Sequence, residues 1–258
     1  MPLAKPSQIA DVPGHVCSSD ELCAVVEPRM VAALYVAKDG AYFGVPGVDP
    51  WDEVRDARRY AGPWPVVAHP PCDRWCQMAP VNQARYGHKV GDDGGCFESA
   101  LHAVRTYGGV LEHPALSIAW RTFDLPHPPT SGSWIKTWCG GWTCQVEQRH
   151  YGHRARKATW LYAYGLTPPS LKWGPGAKPE AWISADRPRA ELAALGIAQL
   201  GKKEAKATPP AFRELLLSMA REAHNAPHEG PSGASREGPL DAVVGPQTHG
   251  GNDGNRSR

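Results

Sequence analysis

One stretch of the sequence decides the predicted fold: Val66-Val67-Ala68-His69-Pro70-Pro71-Cys72-Asp73-Arg74-Trp75. It opens with three apolar residues, a pattern typical of a strand buried in a parallel sheet. Pro70 and Pro71 cannot donate hydrogen bonds to a neighbouring strand, so the strand ends before them. Cys72 then lies on a loop at the carboxyl end of the strand, where open α/β sheets bind their ligands. The stretch therefore predicts an α/β fold with a nucleophilic thiol at the edge of the sheet.

The same arrangement recurs forty residues further along the chain. Residues 97–104 place apolar side chains at i, i+3, i+4 and i+7, which predicts a one-sided helix. Val110 then begins a second strand, which runs into Glu112 and ends at a proline. Strand, helix and strand in this order form a right-handed crossover between parallel neighbours. We therefore expect a mostly parallel sheet with flanking helices, and we expect Cys72 to lie near Glu112.

The 258-residue chain divides into three parts by pattern. Residues 1–30 show no sustained periodicity and are predicted to be an extension of uncertain order. Residues 31–224 alternate strand and helix patterns and form the predicted α/β domain. Within it we expect loops over residues 42–52 and 79–89, an irregular segment over residues 115–143 and a short helical stretch around residues 190–195. The last helix is predicted to begin with Thr208 as its cap and to bury the stripe Phe212, Leu215, Leu216 and Met219. Residues 225–258 contain mainly Gly, Pro, Ser, Asn and His, so we expect a disordered tail.

The overall composition limits the classes of protein to consider. The formal net charge of +2 is too small to indicate a polyanionic partner, so a nucleic-acid site would be a local patch. Seven cysteines in a chain of this length do not suggest a disulfide scaffold. No secretory signal and no apolar run of about 20 residues is present. These features predict a cytoplasmic protein with reduced thiols and no membrane partner.

The most basic run of the chain extends from Arg149 to Lys157. It contains Tyr151, Arg154 and Arg156, and a strand pattern follows it. Such a run indicates either a nucleic-acid contact or a solvated surface.

Cys139 and Cys144 lie close enough in sequence to His150 and His153 to suggest a zinc site. No CxxC pair occurs anywhere in the chain, however, and such pairs are typical of structural zinc sites. We therefore expect no metal.

Taken in order, these landmarks resemble those of the DNA cytosine-5 methyltransferases, in the shortened form found in phage genomes. The resemblance rests on five segments, which are Pro70-Pro71-Cys72, residues 91–95, residues 110–114, Tyr151-Gly152 with the basic residues after it, and residues 208–212. It implies a Rossmann-like, reduced methyltransferase-like fold and a DNA base-modifying enzyme.

The resemblance also implies a reaction. Cys72 would add as a thiolate to carbon 6 of a cytosine that has left the duplex. Glu112 would hold N3 and the exocyclic amine of that base, with a pKa raised by partial burial so that it can donate a proton.

The remaining site residues are also carried over from the resemblance. Arg154, Arg156 and Lys157 would bind phosphates or a base edge. The other residues expected beside the substrate are His69, Arg74, His113 and Tyr151. S-adenosylmethionine would be the cofactor, with Pro71 and Asp92 beside it.

The sequence departs from the family pattern at several positions. His113 and Pro114 stand where the family has asparagine and valine, and Ala155 stands where it has glutamine. Only thirty-six residues separate Val36 from Cys72, which is short for a complete cofactor-binding half. Two alternatives therefore stay open. One is base or nucleotide modification without S-adenosylmethionine, and the other is a non-catalytic DNA-binding relic that protects phage DNA or interferes with a host enzyme.

Overall fold

The computed structural model describes residues 28–183, 191 and 194–223. These residues form a seven-stranded sheet with apolar clusters and helices on both faces. The predicted α/β fold with flanking helices is therefore confirmed. The predicted tail over residues 225–258 lies outside the described residues, as do most of the extension over residues 1–30 and half of a helical stretch expected at residues 190–195.

The sheet joins a parallel half to an antiparallel half. Its strands lie in the order β2-β1-β3-β4-β7-β6-β5. The first four run parallel to one another, β7 is antiparallel to β4, and the strands beyond it continue to alternate. The strand bounds are β1 Val31–Leu34, β2 Val48–Trp51, β3 Val66–Ala68, β4 Gly109–Pro114, β5 Ile135–Lys136, β6 Trp142–Glu147 and β7 Ala158–Tyr164. A second, two-stranded parallel sheet contains β8 Ala181–Trp182 and β9 Ala198–Gln199.

The described helices are α1 Ala79–Tyr86, α2 Cys96–Tyr107, α3 Ile118–Thr122, α4 Lys202–Lys206 and α5 Pro210–Glu222. Two 3₁₀ turns cover Ala57–Arg59 and Gln148–Tyr151. The periodic apolar stripe correctly predicted α2. The sequence wrongly predicted a loop in place of α1, because α1 buries only Ala79 and has no apolar stripe to detect.

Successive residues of β1 alternate between the two faces of the sheet. Val31 and Ala33 belong to the apolar cluster that α5 covers, whereas Ala32 and Leu34 belong to the cluster that α2 and α3 cover. All four side chains are fully buried. The parallel half is thus a sheet enclosed on both faces, which explains why its strands consist almost entirely of apolar residues.

The sequence wrongly predicted an irregular loop over residues 42–52, because β2 lies within it. Pro50 argued against a strand, since proline has no N–H to donate. β2 pairs only with β1 among the described strands, so it is an edge strand of the sheet. A proline on an edge strand leaves no neighbouring carbonyl without its donor.

Two further expectations need correction. Residues 115–143 are not irregular throughout, because α3 and β5 lie among them. Thr208 does not cap the last helix, since α5 begins after Pro209 and has no side-chain cap. The apolar stripe of α5 is otherwise as predicted, with Phe212, Leu216 and Met219 buried.

The strand order places an edge crevice beside Cys72. β1 pairs with β2 on one side and with β3 on the other, so the chain changes direction across the sheet between β1 and β3. Open α/β sheets bind ligands at such a point, outside the carboxyl ends of the strands. In the register of β3 and β4, Ala68 lies opposite Leu111, which brings His69 beside Glu112.

Among the residues that the structure describes, no helix has the length and apolar character to cross a bilayer.

Gly109 should be essential to the pairing of β3 with β4. Its φ is +122°, and a Cβ added there would collide with the Val66 carbonyl. We expect Gly109→Ala to cost about 1–2 kcal/mol for the backbone conformation and about 1–3 kcal/mol more for overpacking. Gly44→Ala is the matched control, because Gly44 has a φ of +72° and no atom within 4 Å of the added Cβ. Urea denaturation that shows equal losses for both variants would contradict the argument.

Candidate active site

Buried polar side chains form a hydrogen-bonded chain at the carboxyl ends of β3 and β4. The His69 imidazole lies 2.9 Å from Glu112 Oε2 through Nδ1 and 2.7 Å from the Tyr42 hydroxyl through Nε2. Gln148 Nε2 donates to Glu112 Oε1 at 3.1 Å and to Thr159 Oγ1 at 2.9 Å. Both oxygens of the Glu112 carboxylate are therefore held by donors from other strands or turns.

Glu112 is charged in this environment. Burial by itself would raise the pKa of its carboxyl group, but the hydrogen bond from His69 and the positive charge of Lys157 outweigh burial, and the pKa falls to about 2. The expectation of a raised pKa at Glu112 was therefore wrong. The sequence predicted partial burial of the carboxylate. It did not reveal the hydrogen-bond and charge partners that lower the pKa.

His113 lies on the opposite face of β4 from Glu112. Its ring packs edge-on against Phe97 and parallel to Trp120. Burial lowers the pKa of His113 to about 4, although Glu112 and the Pro71 carbonyl favour its protonated form. Neither ring nitrogen has a hydrogen bond of normal geometry within the described residues. His113 is thus a neutral core residue and does not reach the chain that holds Glu112.

Cys72 lies in a tight turn, where its carbonyl accepts hydrogen bonds from the backbone N–H groups of Trp75 and Cys76. The side chain is half-buried and borders a cavity of about 360 Å³. Pro114, Arg156 and Lys157 line the same cavity, as do residues 181–183 and Ala205. The structure therefore combines a thiol, two cationic side chains and an open space large enough for a planar ring.

The Cys72 thiol is protonated at neutral pH in the free protein. Burial raises its pKa to about 11, and the negative charges of Asp73 and Glu112 add to this effect. Lys206, which forms an exposed ion pair with Asp73 at 3.4 Å, acts in the opposite direction. Cys72 and Glu112 follow or end neighbouring parallel strands, β3 and β4.

The basic run contributes to the site unequally. The Arg154 guanidinium forms ion pairs with Glu204 of α4 at 2.8 Å and with Glu180, directly before β8, at 3.7 Å. Its charge is therefore already paired. Lys157 donates to two backbone carbonyls after α4 and lines the cavity. Arg156 is exposed, lines the cavity and forms no ion pair with a described residue. Arg156 and Lys157 are thus the members of the run that lie against Cys72.

The other predicted site residues lie outside this centre. Tyr151 accepts a hydrogen bond from the Lys172 N–H and packs on Phe212 in the core below α5. Arg74 is half-buried, and Pro71 and Asp92 are exposed. The hydrogen bonds that hold this loop come from the next residue, Asp93. Asp93 accepts from the Trp75 indole and from the Phe97 N–H, both at 2.8 Å.

The acidic side chains in and directly after β2 are engaged within the protein. The Asp49 carboxylate is bound by Arg55 and, at 2.8 Å, by the Trp51 indole. Asp52 accepts from the backbone of its own turn. Tyr42, 2% exposed, is hydrogen-bonded to His69. Binding of this cofactor therefore stays a prediction, and no chemical step below depends on it.

Cys139 and Cys144 do not lie together with histidines. Cys144 is buried in β6, while the Cys139 sulfur lies 3.1 Å from the Thr137 hydroxyl and 3.4 Å from the Tyr162 hydroxyl. In the part of the chain that the structure describes, no group of three or more His, Cys, Asp or Glu residues is placed to hold a metal.

Sequence reasoning missed Tyr42, Gln148 and Thr159. Tyr42 lies in a loop that contains no recognisable motif. Gln148 precedes the segment, beginning at Tyr151, on which the family resemblance rests. One sign was present for Thr159, a polar residue in an otherwise apolar strand. The structure places all three around Glu112, because each lies at a strand end or turn that only the tertiary fold brings to this edge.

No protein-family model matches this sequence, and no curated protein matches it. The resemblance to the cytosine-5 methyltransferases therefore remains a prediction.

Buried neutral His113 should make stability fall on acidification. Its folded pKa of about 4 lies below its ordinary value of 6.5, so the unfolded chain binds more protons between these pH values. The free energy of unfolding should therefore fall from pH 6.5 toward pH 4, by up to about 1.4 kcal/mol per pH unit from this group. Urea titrations at several pH values should show a shallower slope for His113→Gln. Exposed His102→Gln should keep the wild-type slope, and equal slopes for all three proteins would contradict the assignment.

The charges around Cys72 predict the reactivity of its thiol. At pH 8, Asp73→Asn should speed alkylation by iodoacetamide and Lys206→Met should slow it, each by roughly three- to tenfold for an interaction of about 1 kcal/mol. The tryptic peptide Tyr60–Arg74 contains no other cysteine, so mass spectrometry can follow Cys72 alone. Changes in the opposite direction would show that these charges do not control the thiol.

Proposed function

We propose that this protein is a DNA base-modifying enzyme that acts on cytosine through Cys72, in the manner of the cytosine-5 methyltransferases. The observation that carries the proposal is the thiol of Cys72 at the wall of a cavity of about 360 Å³, within electrostatic reach of the buried Glu112 carboxylate. The two residues extend from adjacent parallel strands, which is the arrangement that the family resemblance implies.

In this reaction the Cys72 thiolate adds to carbon 6 of the base. The π bond between carbons 5 and 6 breaks, its electrons pass to the ring, and N3 takes up a proton. Carbon 5 is then nucleophilic and combines with an electrophile. The proton on carbon 5 then passes to solvent, N3 returns its proton to Glu112, the double bond between carbons 5 and 6 re-forms, and Cys72 leaves as the thiolate. The raised pKa of Cys72 in the free protein means that the thiol must lose its proton when the base is in place.

The hydrogen bonds to Glu112 suggest how N3 is protonated. A carboxyl group with a pKa of about 2 does not carry a proton at neutral pH. His69 Nδ1 lies 2.9 Å from Glu112 Oε2 and is the neighbouring group that can pass a proton to it. In the proposed site, Glu112 therefore transfers to N3 a proton from Nδ1 of the doubly protonated His69, and the proton returns by the same route when the thiolate leaves. The Tyr42 hydroxyl holds the other side of the imidazole.

DNA is the proposed partner. Arg156 and Lys157 line the cavity beside Cys72 and would bind phosphates of the nucleotide that enters it. A base must leave the duplex to reach a thiol in such a cavity.

The sheet agrees with the proposal only as an α/β fold. In such a fold, ligands are expected at the crevice between β1 and β3. S-adenosylmethionine remains the donor that the resemblance predicts. The carboxylates of Asp49 and Asp52, which have partners within the protein, favour a second candidate, in which the same cysteine chemistry uses another donor.

The proposal can be tested without any donor. Addition of a thiolate to carbon 6 loosens the hydrogen on carbon 5, so the wild-type protein should release tritium from 5-tritiated cytosine in single-stranded DNA. Cys72→Ser should abolish this release, whereas Cys76→Ser, on the same loop, should keep it. Failure of the wild type to release tritium, with DNA binding unchanged by Cys72→Ser, would instead support the non-catalytic binder. Methylated product on addition of S-adenosylmethionine would distinguish the two donor alternatives.

A further inference from the structure

Gln148 is a buried glutamine with one unused hydrogen-bonding atom. The residue is 1% exposed and lies in the turn between β6 and β7. Its Nε2 donates to Glu112 and to Thr159, which uses both hydrogens of the amide. Its Oε1 is buried and has no hydrogen-bond partner among the described residues.

The orientation of this amide is determined by its neighbours. Exchanging Oε1 and Nε2 would place an amide oxygen 3.1 Å from an oxygen of the charged Glu112 carboxylate, with no hydrogen between them. The Thr159 hydroxyl donates to the Lys157 carbonyl, so it accepts from the amide. Both contacts require Nε2 in its present position. Oε1 is therefore the amide atom without a hydrogen-bond partner among the described residues.

A buried acceptor without a donor destabilises the folded protein unless something supplies the missing hydrogen. Next to Oε1, the Glu112 carboxylate has further lone pairs, since two hydrogen bonds do not saturate its two oxygens. The site thus presents acceptors from two side chains beside each other. Acceptors in this arrangement fit an amine that carries two hydrogens, and they repel a carbonyl oxygen.

We propose that Gln148 is the specificity-determining residue of the site and accepts one hydrogen of the substrate's exocyclic amine through Oε1, while Glu112 accepts the other. The inference rests on the proposed function, since it presumes a pyrimidine base beside Cys72. It assigns cytosine as the accepted base and uracil, which has a carbonyl oxygen at the corresponding position, as the rejected one.

The same tritium release measures both bases, because a thiolate also loosens the hydrogen on carbon 5 of uracil. The wild-type protein should favour 5-tritiated cytosine over 5-tritiated uracil in otherwise identical single-stranded DNA. Gln148→Met keeps the side-chain length without the amide, and should reduce the ratio of the two rates roughly 10- to 100-fold. A purely structural role for Gln148 would lower both rates and leave their ratio unchanged.

Gln145→Met is the matched control, since it makes the same change at another glutamine of the β6 segment. Gln145 Oε1 is already occupied by the Trp160 indole at 2.9 Å, so this variant should keep the wild-type ratio. A wild type that releases tritium from neither base would overturn the proposed function. A wild type that prefers cytosine while Gln148→Met keeps the full preference would overturn only the role of Gln148, and would leave Oε1 bound to a buried water.

A second measurement needs no variant and remains decisive if Gln148→Met does not fold. N4-methylcytosine retains one amine hydrogen and N4,N4-dimethylcytosine retains none. With the wild-type protein, tritium release should fall in two steps, each roughly 10- to 100-fold. Equal rates for cytosine and its dimethyl derivative would show that neither Gln148 nor Glu112 binds the amine.

Discussion

The buried carboxylate of Glu112 is the constraint on which the rest of this site depends. A charged group can be buried only where donors satisfy it and neighbouring positive charge compensates it. Here the donors are His69, at the end of β3, and Gln148, in the turn before β7. Lys157, directly before β7, supplies compensating charge. Burial of one carboxylate thereby fixes the relative positions of the segments that also present Cys72 and the cavity.

The two faces of β4 show how one strand serves both the core and the site. Glu112 and His113 are adjacent in sequence but point to opposite faces of the sheet. Glu112 meets polar partners and is charged, whereas His113 meets Phe97 and Trp120 and is neutral. Two titratable residues side by side thus have pKa values shifted by different surroundings. The difference arises from the alternation of side chains along a strand.

Much of the parallel half of the fold could be predicted from the sequence. β1, β3, β4 and α2 have strong patterns, because each buries a continuous apolar run or stripe. α1 and β2 could not be predicted, since α1 buries almost nothing and β2 contains a proline that only an edge position tolerates. The placement of Cys72 and Glu112 at the carboxyl ends of neighbouring strands followed from strand order. The charge state of Glu112 did not, because Gln148 and His69 reach it from residues 36 and 43 positions away in the chain.

The sequence by itself determined β1, β3, β4 and α2 and the strand ends at which the thiol and the carboxylate lie. Those properties depend on local patterns, namely apolar runs, helical periodicity and proline stops. Only the tertiary structure decided the chemistry at those strand ends. It brought Tyr42, His69 and Gln148 around Glu112 and left one amide oxygen of Gln148 without a partner among the described residues. Hydrogen bonding and electrostatic interaction depend on distance in space, and sequence separation does not reveal that distance.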